Sequence, residues 1–202
     1  MNLWPEIALI VFAYLLGSIP FGYIFTKKFT GKSILVLGSG NIGSTNVGRI
    51  AGPKIAVLTQ ICDMSKGLLP VTLVYFLEIE NFFHFEEYYI CLVALASILG
   101  HDYSLFLKLK GGKGVNTTLG ASLLLAPYSV FVSVLIYFAV KWKYKIVSLG
   151  SICLAISLTL VELVIHRVSF LFYYLLICSV LILIKHIPNI KRLLSGTEIP
   201  SK

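Results

Sequence analysis

The chain has 202 residues, of which 57% are hydrophobic and only 13% charged, and its mean hydropathy is +0.90. Soluble domains carry about 25% charged residues, so a water-soluble globule is excluded and a polytopic, all-α integral membrane protein is indicated. The formal net charge of +8 does not point to nucleic acid, because the basic residues lie between apolar runs rather than in a stripe interleaved with aromatics; it serves topology and an anionic ligand.

The first apolar run, residues 3–25, carries Glu6, lacks a basic leader and passes through Gly17-Ser18-Ile19-Pro20 without a cleavage site. It reads as a retained span, not a signal peptide. Behind it comes GSGNIGSTNVGR, residues 38–49. Glycines let backbone N–H groups turn toward a ligand, Ser39, Asn41, Ser44, Thr45 and Asn46 add side-chain hydrogen-bonding groups, and Arg49 closes the run with a fixed charge. Phosphate is the expected guest. Preceded by Ser33-Ile34-Leu35-Val36-Leu37, the run formally imitates a strand followed by G-x-G-x-x-G, with Asp63 further on. That dinucleotide reading fails on context, since no βα units follow and Asp63 falls inside the next apolar run. The P-loop pattern fails too: Thr26 stands where Gly31-Lys32-Ser33 would need its glycine, and Lys113 is followed by Gly114.

The second span, residues 55–77, contains Asp63 and Lys66 on one helical face. An unpaired charge there costs about 2.5–3.5 kcal/mol on insertion scales, so the two are expected to pair, either as helix glue or in support of the adjacent site. The third span, residues 89–107, contains His101-Asp102, a candidate acid–base pair whose members point in different directions on a helix. It leads into KLKGGKGVNTTLG, residues 108–120. Gly111, Gly112 and Gly114 allow close backbone approach around Lys113, and the helix starting near Val115 offers N-terminal N–H groups to an anion. Residues 117–140 form either one span kinked at Pro127 or a hairpin of two short half-helices, and spans follow at 146–165 and 168–184. In the tail, His186, Asn189 and Arg192 recur every third residue and share a face if the segment is helical, a face able to reach a phosphate. Cys62, Cys91, Cys153 and Cys178 lie within apolar runs without C-x-x-C spacing, so neither a disulfide frame nor a metal site is expected.

Charge chooses the topology. With the hairpin, every basic residue outside the spans except Arg167 falls on one side of the bilayer; with a single kinked span the two sides are nearly balanced. The positive-inside rule selects the hairpin. The expectation is one domain over residues 1–202 with seven transmembrane helices, two of them short, an outside N-terminus and a cytoplasmic C-terminus. Glu78, Glu80, Glu86 and Glu87 then face outward, and all the anion-binding candidates face the cytoplasm.

Six strings in order, GSIPFG (17–22), GSGNIGSTNVGR (38–49), D-x-x-K-G (63–67), GHxYxxF…KGGKGV (100–115), VSLxS (147–151) and KHxxNIxRLLxGTE (185–198), resemble the bacterial acyl-phosphate:glycerol-3-phosphate acyltransferases, the PlsY-type family. The resemblance implies a seven-helix enzyme of the bacterial plasma (inner) membrane with its active site facing the cytoplasm. It would transfer a fatty acyl group from acyl phosphate to the sn-1 hydroxyl of glycerol 3-phosphate, giving lysophosphatidate and phosphate without metal or organic cofactor. It also implies that Ser39, Gly40, Asn41, Thr45 and Asn46 hold the acyl-phosphate head group, and that Arg49, Lys113, Ser151, His186 and Asn189 form the glycerol-3-phosphate pocket. The chain departs from the usual pattern at Ser33-Ile34-Leu35 (Asp-Ile/Leu-Arg in the family), Ser44 (Ala), Ser104 (Pro), Lys145 (Arg) and Ile187 (Arg). Direct attack of the hydroxyl on the acyl carbonyl is expected, with a substrate phosphate oxygen taking the proton and His101 as second candidate base. The H-x-x-x-x-D motif of acyl-CoA-dependent enzymes is absent. The competing classes are a transporter or binder of a phosphorylated anion, for which no internal repeat speaks, and a diverged paralogue that binds without turnover.

Overall fold

The computed structural model describes residues 4–80, 82 and 85–200. Among them the regular elements are all helical: α1 (Trp4–Ser18), α2 (Phe21–Thr30), α3 (Ser44–Ala51), α4 (Pro53–Ile79), α5 (Glu87–Asp102), α6 (Val115–Leu125), α7 (Pro127–Tyr144), α8 (Val147–His166), α9 (Phe170–Lys185) and α10 (Ile187–Leu194), with single 3-10 turns at Ile34–Val36 and Leu105–Leu107. The segment that imitated a strand before the glycines is thus a 3-10 turn, which removes the dinucleotide reading.

Trp4–Thr30, Pro53–Ile79, Glu87–Leu107 and Val147–His166 are long and apolar enough to cross a bilayer, and α9 with α10 makes a fifth candidate bent by 58°. Two expectations change. The first span is two helices, because Pro20 has no N–H to continue the ladder of α1. The helix does break at Pro127, with Ala126 in a non-helical conformation (φ −137°, ψ 58°) as a residue before proline prefers, but the two halves are unequal. With 11 residues α6 spans only about 16 Å, whereas the 18 residues of α7 reach about 27 Å. The longer half runs on through Lys141 and Lys143, whose aliphatic stems suit a helix end at the membrane surface, and stops at Lys145, φ +56°.

The distribution of residues is that of a protein in an apolar solvent. Thr26, Thr59, Asp63, Lys66, Asp102 and Glu162 are buried, while Val164 and Trp142 are 81% and 78% exposed. In water that arrangement would be prohibitive; in lipid it is required.

The chain forms two compact units, Met1–Ala121 and Ser122–Lys202. In the first, α4 and α6 cross where side chains are missing: a Cβ on Gly67 would lie 2.2 Å from the Thr117 carbonyl oxygen, and one on Gly120 1.9 Å from that of Met64. Small residues at such a crossing let backbones touch, the common device of membrane helix packing. Gly22 likewise brings α2 against the backbone of Ile42 in the glycine-rich loop. In the second unit the buried Glu162 of α8 accepts from Ser129 of α7 (2.6 Å) and lies 2.8 Å from His166 Nδ1. Thr159 and Ser179 join α8 to α9 at 2.7 Å.

Candidate active site

In the first unit the loop ahead of α3 is organised by one side chain. Asn46, buried, accepts the Ser39 N–H at its Oδ1 (3.1 Å) and donates from Nδ2 to the carbonyls of Leu37 (3.0 Å) and Asn41 (2.9 Å). Asn41 Oδ1 in turn accepts the Gly43 N–H at 2.8 Å, a local turn that sets up α3. Gly38 sits at φ +58°, and a Cβ there would lie 2.3 Å from Asn46 Oδ1, so both its conformation and its neighbour demand glycine. Beneath the loop Ile34, Ile42 and Val47 form a buried cluster joined by Tyr23, Ile50, Ala51, Ile55 and Leu107. Ile34, which keeps the apolar middle position of the family pattern between the altered Ser33 and Leu35, is therefore an apolar anchor of the loop. Ser39, Thr45 and Arg49 are exposed on the outer side. Asn46, grouped with them by sequence, has both amide hydrogens committed within the loop and acts on its shape.

The second glycine-rich segment rests on the end of α5. Gly112 donates its N–H to the His101 carbonyl (2.9 Å), and Leu109 to that of Ser104 (2.8 Å). His101 and Asp102 are buried, 4% and 0% exposed, and Lys113 beside them is half-buried. A Cβ on Gly112 would lie 1.9 Å from His101 Nε2, and one on Gly114 3.0 Å from Asp102 Oδ1. The histidine ring thus lies under the loop. Asp63 and Lys66 of α4 pair as expected, Nζ to Oδ1 at 3.1 Å. Ser104, another altered residue, donates to the Ser18 carbonyl at the end of α1 (2.6 Å).

The two segments meet at the N-termini of their helices, where Asn116 Nδ2 of α6 donates to Ser44 Oγ of α3 at 3.3 Å. Neither residue had been paired with the other by sequence, although both lie in the runs singled out there. The bond is at the long end of the range and half-exposed. Ser44→Ala or Asn116→Ala is expected to cost about 0.5–1 kcal/mol, about two- to fivefold in kcat/KM, with the double variant no worse than either single. A double-mutant cycle measures this, and strictly additive losses would mean that the bond does not act. Beside the same unit's loop core, Ile19, Pro20, Tyr23, Ile24, Phe106 and Leu107 line an apolar groove of about 370 Å³. Its Tyr23 and Leu107 also belong to the cluster under the glycine loop.

In the second unit the tail folds back. Glu198 accepts from Ser148 (2.8 Å) and Asn189 (2.6 Å) at Oε1 and from Arg192 Nε (2.6 Å) at Oε2. Asn189 and Arg192 do share a side of α10, and that side meets a carboxylate of the chain itself. Ser151 is one turn beyond Ser148 on α8, its hydroxyl donating to the Val147 carbonyl at 3.1 Å. His186, buried where α9 turns into α10, must donate from Nδ1 to the Ile182 carbonyl (2.8 Å), which leaves Nε2 as the acceptor nitrogen of the neutral ring. Ser148 and Glu198 were missed as members of this cluster. Their signal was their presence in the VSLxS and GTE strings.

Burial raises the Glu198 carboxyl, but hydrogen bonds from Arg192, Asn189 and Ser148 outweigh it and hold the group below the usual carboxylate range. A depressed folded-state value contributes stability that is full above the unfolded value, about 4.3, and is lost as pH falls through the folded one. Trypsin cleavage after Lys191 and Arg192 in Glu198→Gln should therefore exceed that of the parent at neutral pH. Equal cleavage rates would refute the clamp.

A glycerol-3-phosphate acyltransferase family matches residues 7–196. The chain belongs to that family. Glycerol-3-phosphate acyltransferase of Clostridium acetobutylicum is 40% identical over 94% of this chain and 96% of its own length, and that of Geotalea daltonii is 41% identical over 96% of each. The crystal structure of PlsY (YgiH), described as an integral membrane glycerol 3-phosphate acyltransferase in its glycerol 3-phosphate form, superposes with a TM-score of 0.89 at 35% identity, covering 98% of this chain and 96% of that one. Its lysophosphatidic acid form gives 0.85 at 35% identity, over 97% and 95%. Family membership across nearly the whole chain agrees with the six collinear strings, and makes this a membrane acyltransferase of phospholipid synthesis.

Proposed function

We propose that the protein transfers a fatty acyl group from acyl phosphate to the sn-1 hydroxyl of glycerol 3-phosphate at the cytoplasmic side of a bacterial inner membrane. The observation that carries this reading is the junction of two glycine-rich, cation-bearing segments at Asn116 and Ser44 beside an apolar groove. One end of the arrangement suits phosphate and the other a hydrocarbon chain. Ser39, Gly40, Asn41 and Thr45, in a loop shaped by Asn46, hold the acyl-phosphate head group; Arg49, Lys113, Ser151, His186 and Asn189 serve glycerol 3-phosphate. The acyl chain follows the groove lined by Tyr23 and Leu107. Attack of the sn-1 oxygen on the carbonyl carbon forms the ester bond as the bond to phosphate breaks. The hydroxyl proton passes to a phosphate oxygen, so the products are lysophosphatidate and inorganic phosphate. Proximity of two held anions supplies most of the acceleration, and their repulsion is offset by Arg49 and Lys113. His101, under its loop, positions Lys113.

Seven spans accommodate the helices: α1 with α2, then α4, α5, α6, α7, α8 and α9, with the N-terminus outside. All basic residues except Arg167 and the intramembrane Lys66 then gather on the cytoplasmic side. Purified protein in lipid vesicles, given acyl phosphate and glycerol 3-phosphate, should release phosphate and lysophosphatidate in equal amounts. Counterflow of labelled glycerol 3-phosphate without product would replace the reading by transport.

A further inference from the structure

Beneath Lys113 lies a buried set of charges to which the proposed chemistry gives no task. Lys66 and Asp63 are 1% and 2% exposed. Being three residues apart on the same helix, they join no two helices through their own 3.1 Å contact. Their outward contacts run in two directions. Lys66 Nζ donates to the Ile19 carbonyl at 3.0 Å, in the break between α1 and α2, and stands 5.8 Å from the centre of the Phe21 ring. Asp63 Oδ1 lies 3.7 Å from His101 Nδ1. The opposite edge of the same imidazole, Nε2, fills the space that a side chain at position 112 would need. The Gly112 N–H is bonded to the His101 carbonyl, and Lys113 is the next residue.

We propose that Asp63 and Lys66 are positioning residues for Lys113, acting through the ring of His101 and tying the phosphate-binding loop to the break in the first span. Ile19 and Pro20 at that break also line the apolar groove, so one chain of contacts connects the place offered to the acyl chain with the cation offered to phosphate. A buried ion pair is a poor device for stability alone, since apolar replacements of similar volume are often neutral or better. A buried ring with a carboxylate 3.7 Å from one nitrogen and a glycine packed against its opposite edge has little room to move, and the loop seated on it is confined with it. Displacing a catalytic group by about 1 Å costs on the order of a hundredfold in rate.

The inference rests on the acyltransferase reading, and the test separates the two. Parent protein in lipid vesicles is assayed first with acyl phosphate and glycerol 3-phosphate; no product there overturns the reaction itself. The variant Asp63→Leu/Lys66→Met removes both charges together and so avoids stranding one of them. It is expected to keep a parental thermal midpoint, lose about ten- to a hundredfold in kcat and raise KM for glycerol 3-phosphate. Mass-spectrometric labelling of the Lys113 amine reports the position directly: glycerol 3-phosphate should protect it in the parent and protect it less in the variant. Parental turnover with parental protection overturns the positioning role while leaving the reaction standing. His101→Ala enters the same chain from its other end with the ion pair intact. Combined with Asp63→Leu/Lys66→Met it should add nothing further to the loss, and full additivity would overturn transmission through the ring.

Discussion

Replacing Lys113 by alanine is expected to reduce turnover by on the order of a thousandfold or more, while the protein stays in the membrane at its parental level. The loop around it is held by backbone, through the Gly112 N–H on the His101 carbonyl and the close seating of Gly111 against the His101 and Asp102 backbone. Removing the side chain leaves that seat intact. What is lost is the cation proposed to face two anionic substrates. Unit charges about 5 Å apart repel by about 3 kcal/mol at an effective dielectric of 20, and the phosphate groups carry more than one charge each. Without Lys113 the burden of offsetting this falls on Arg49 and on neutral donors. Lys113→Arg should recover part of the activity, because it restores charge but spreads it over a planar fork in place of a compact ammonium. Phosphate release by protein reconstituted in lipid, normalised to the amount in the membrane, decides the matter. A parental rate in Lys113→Ala would remove this residue from the site.

Much of this was legible in the chain because membrane proteins write their constraints in composition. Apolar runs and the segregation of basic residues pointed to an all-helical polytopic protein, and glycines beside Arg49 and Lys113 marked the two segments proposed to bind anions. The break at Pro127 was legible because proline lacks a ladder N–H and disfavours the helical conformation of the residue before it, although α4 runs on through Pro70; the length of α7 was not legible, since Lys141 and Lys143 read as a loop and their stems allow the helix to run through them. The break at Pro20 was hidden inside an apolar run long enough to cross in one piece. Asn46 was harder. Asparagine donates equally well to a ligand and to its own backbone, and only the distances to Leu37, Asn41 and Ser39 distinguish the roles. The position of His101 under Gly112 depends on how the loop folds over α5, and the Glu198 clamp depends on the chain turning back through Gly196 at φ +70°. Such contacts carry no periodicity for a sequence to display.

Asn46→Asp is expected to be as damaging as the loss of a catalytic cation, although it changes a single atom type in a nearly isosteric side chain. Aspartate keeps an acceptor for the Ser39 N–H but loses both bonds donated to the Leu37 and Asn41 carbonyls. Each partly buried carbonyl left without its donor costs about 1–3 kcal/mol, and the new oxygen would sit about 3 Å from both, where it repels them. If the carboxyl ionises, it also places a negative charge under a loop proposed to bind phosphate. These effects act in the same direction, so kcat/KM for acyl phosphate should fall on the order of a thousandfold or more. The loss should be greater for acyl phosphate than for glycerol 3-phosphate, because the distorted segment is the one assigned to the donor. Asn46→Ala isolates the geometric part: it removes the bonds without adding charge, and its activity should lie between parent and Asn46→Asp. Saturation curves for each substrate in turn, with melting of the purified protein measured alongside, separate a misshapen loop from an unfolded chain. Parental KM for acyl phosphate in Asn46→Asp would show that the bonds to Leu37 and Asn41 do not set the shape of the cradle.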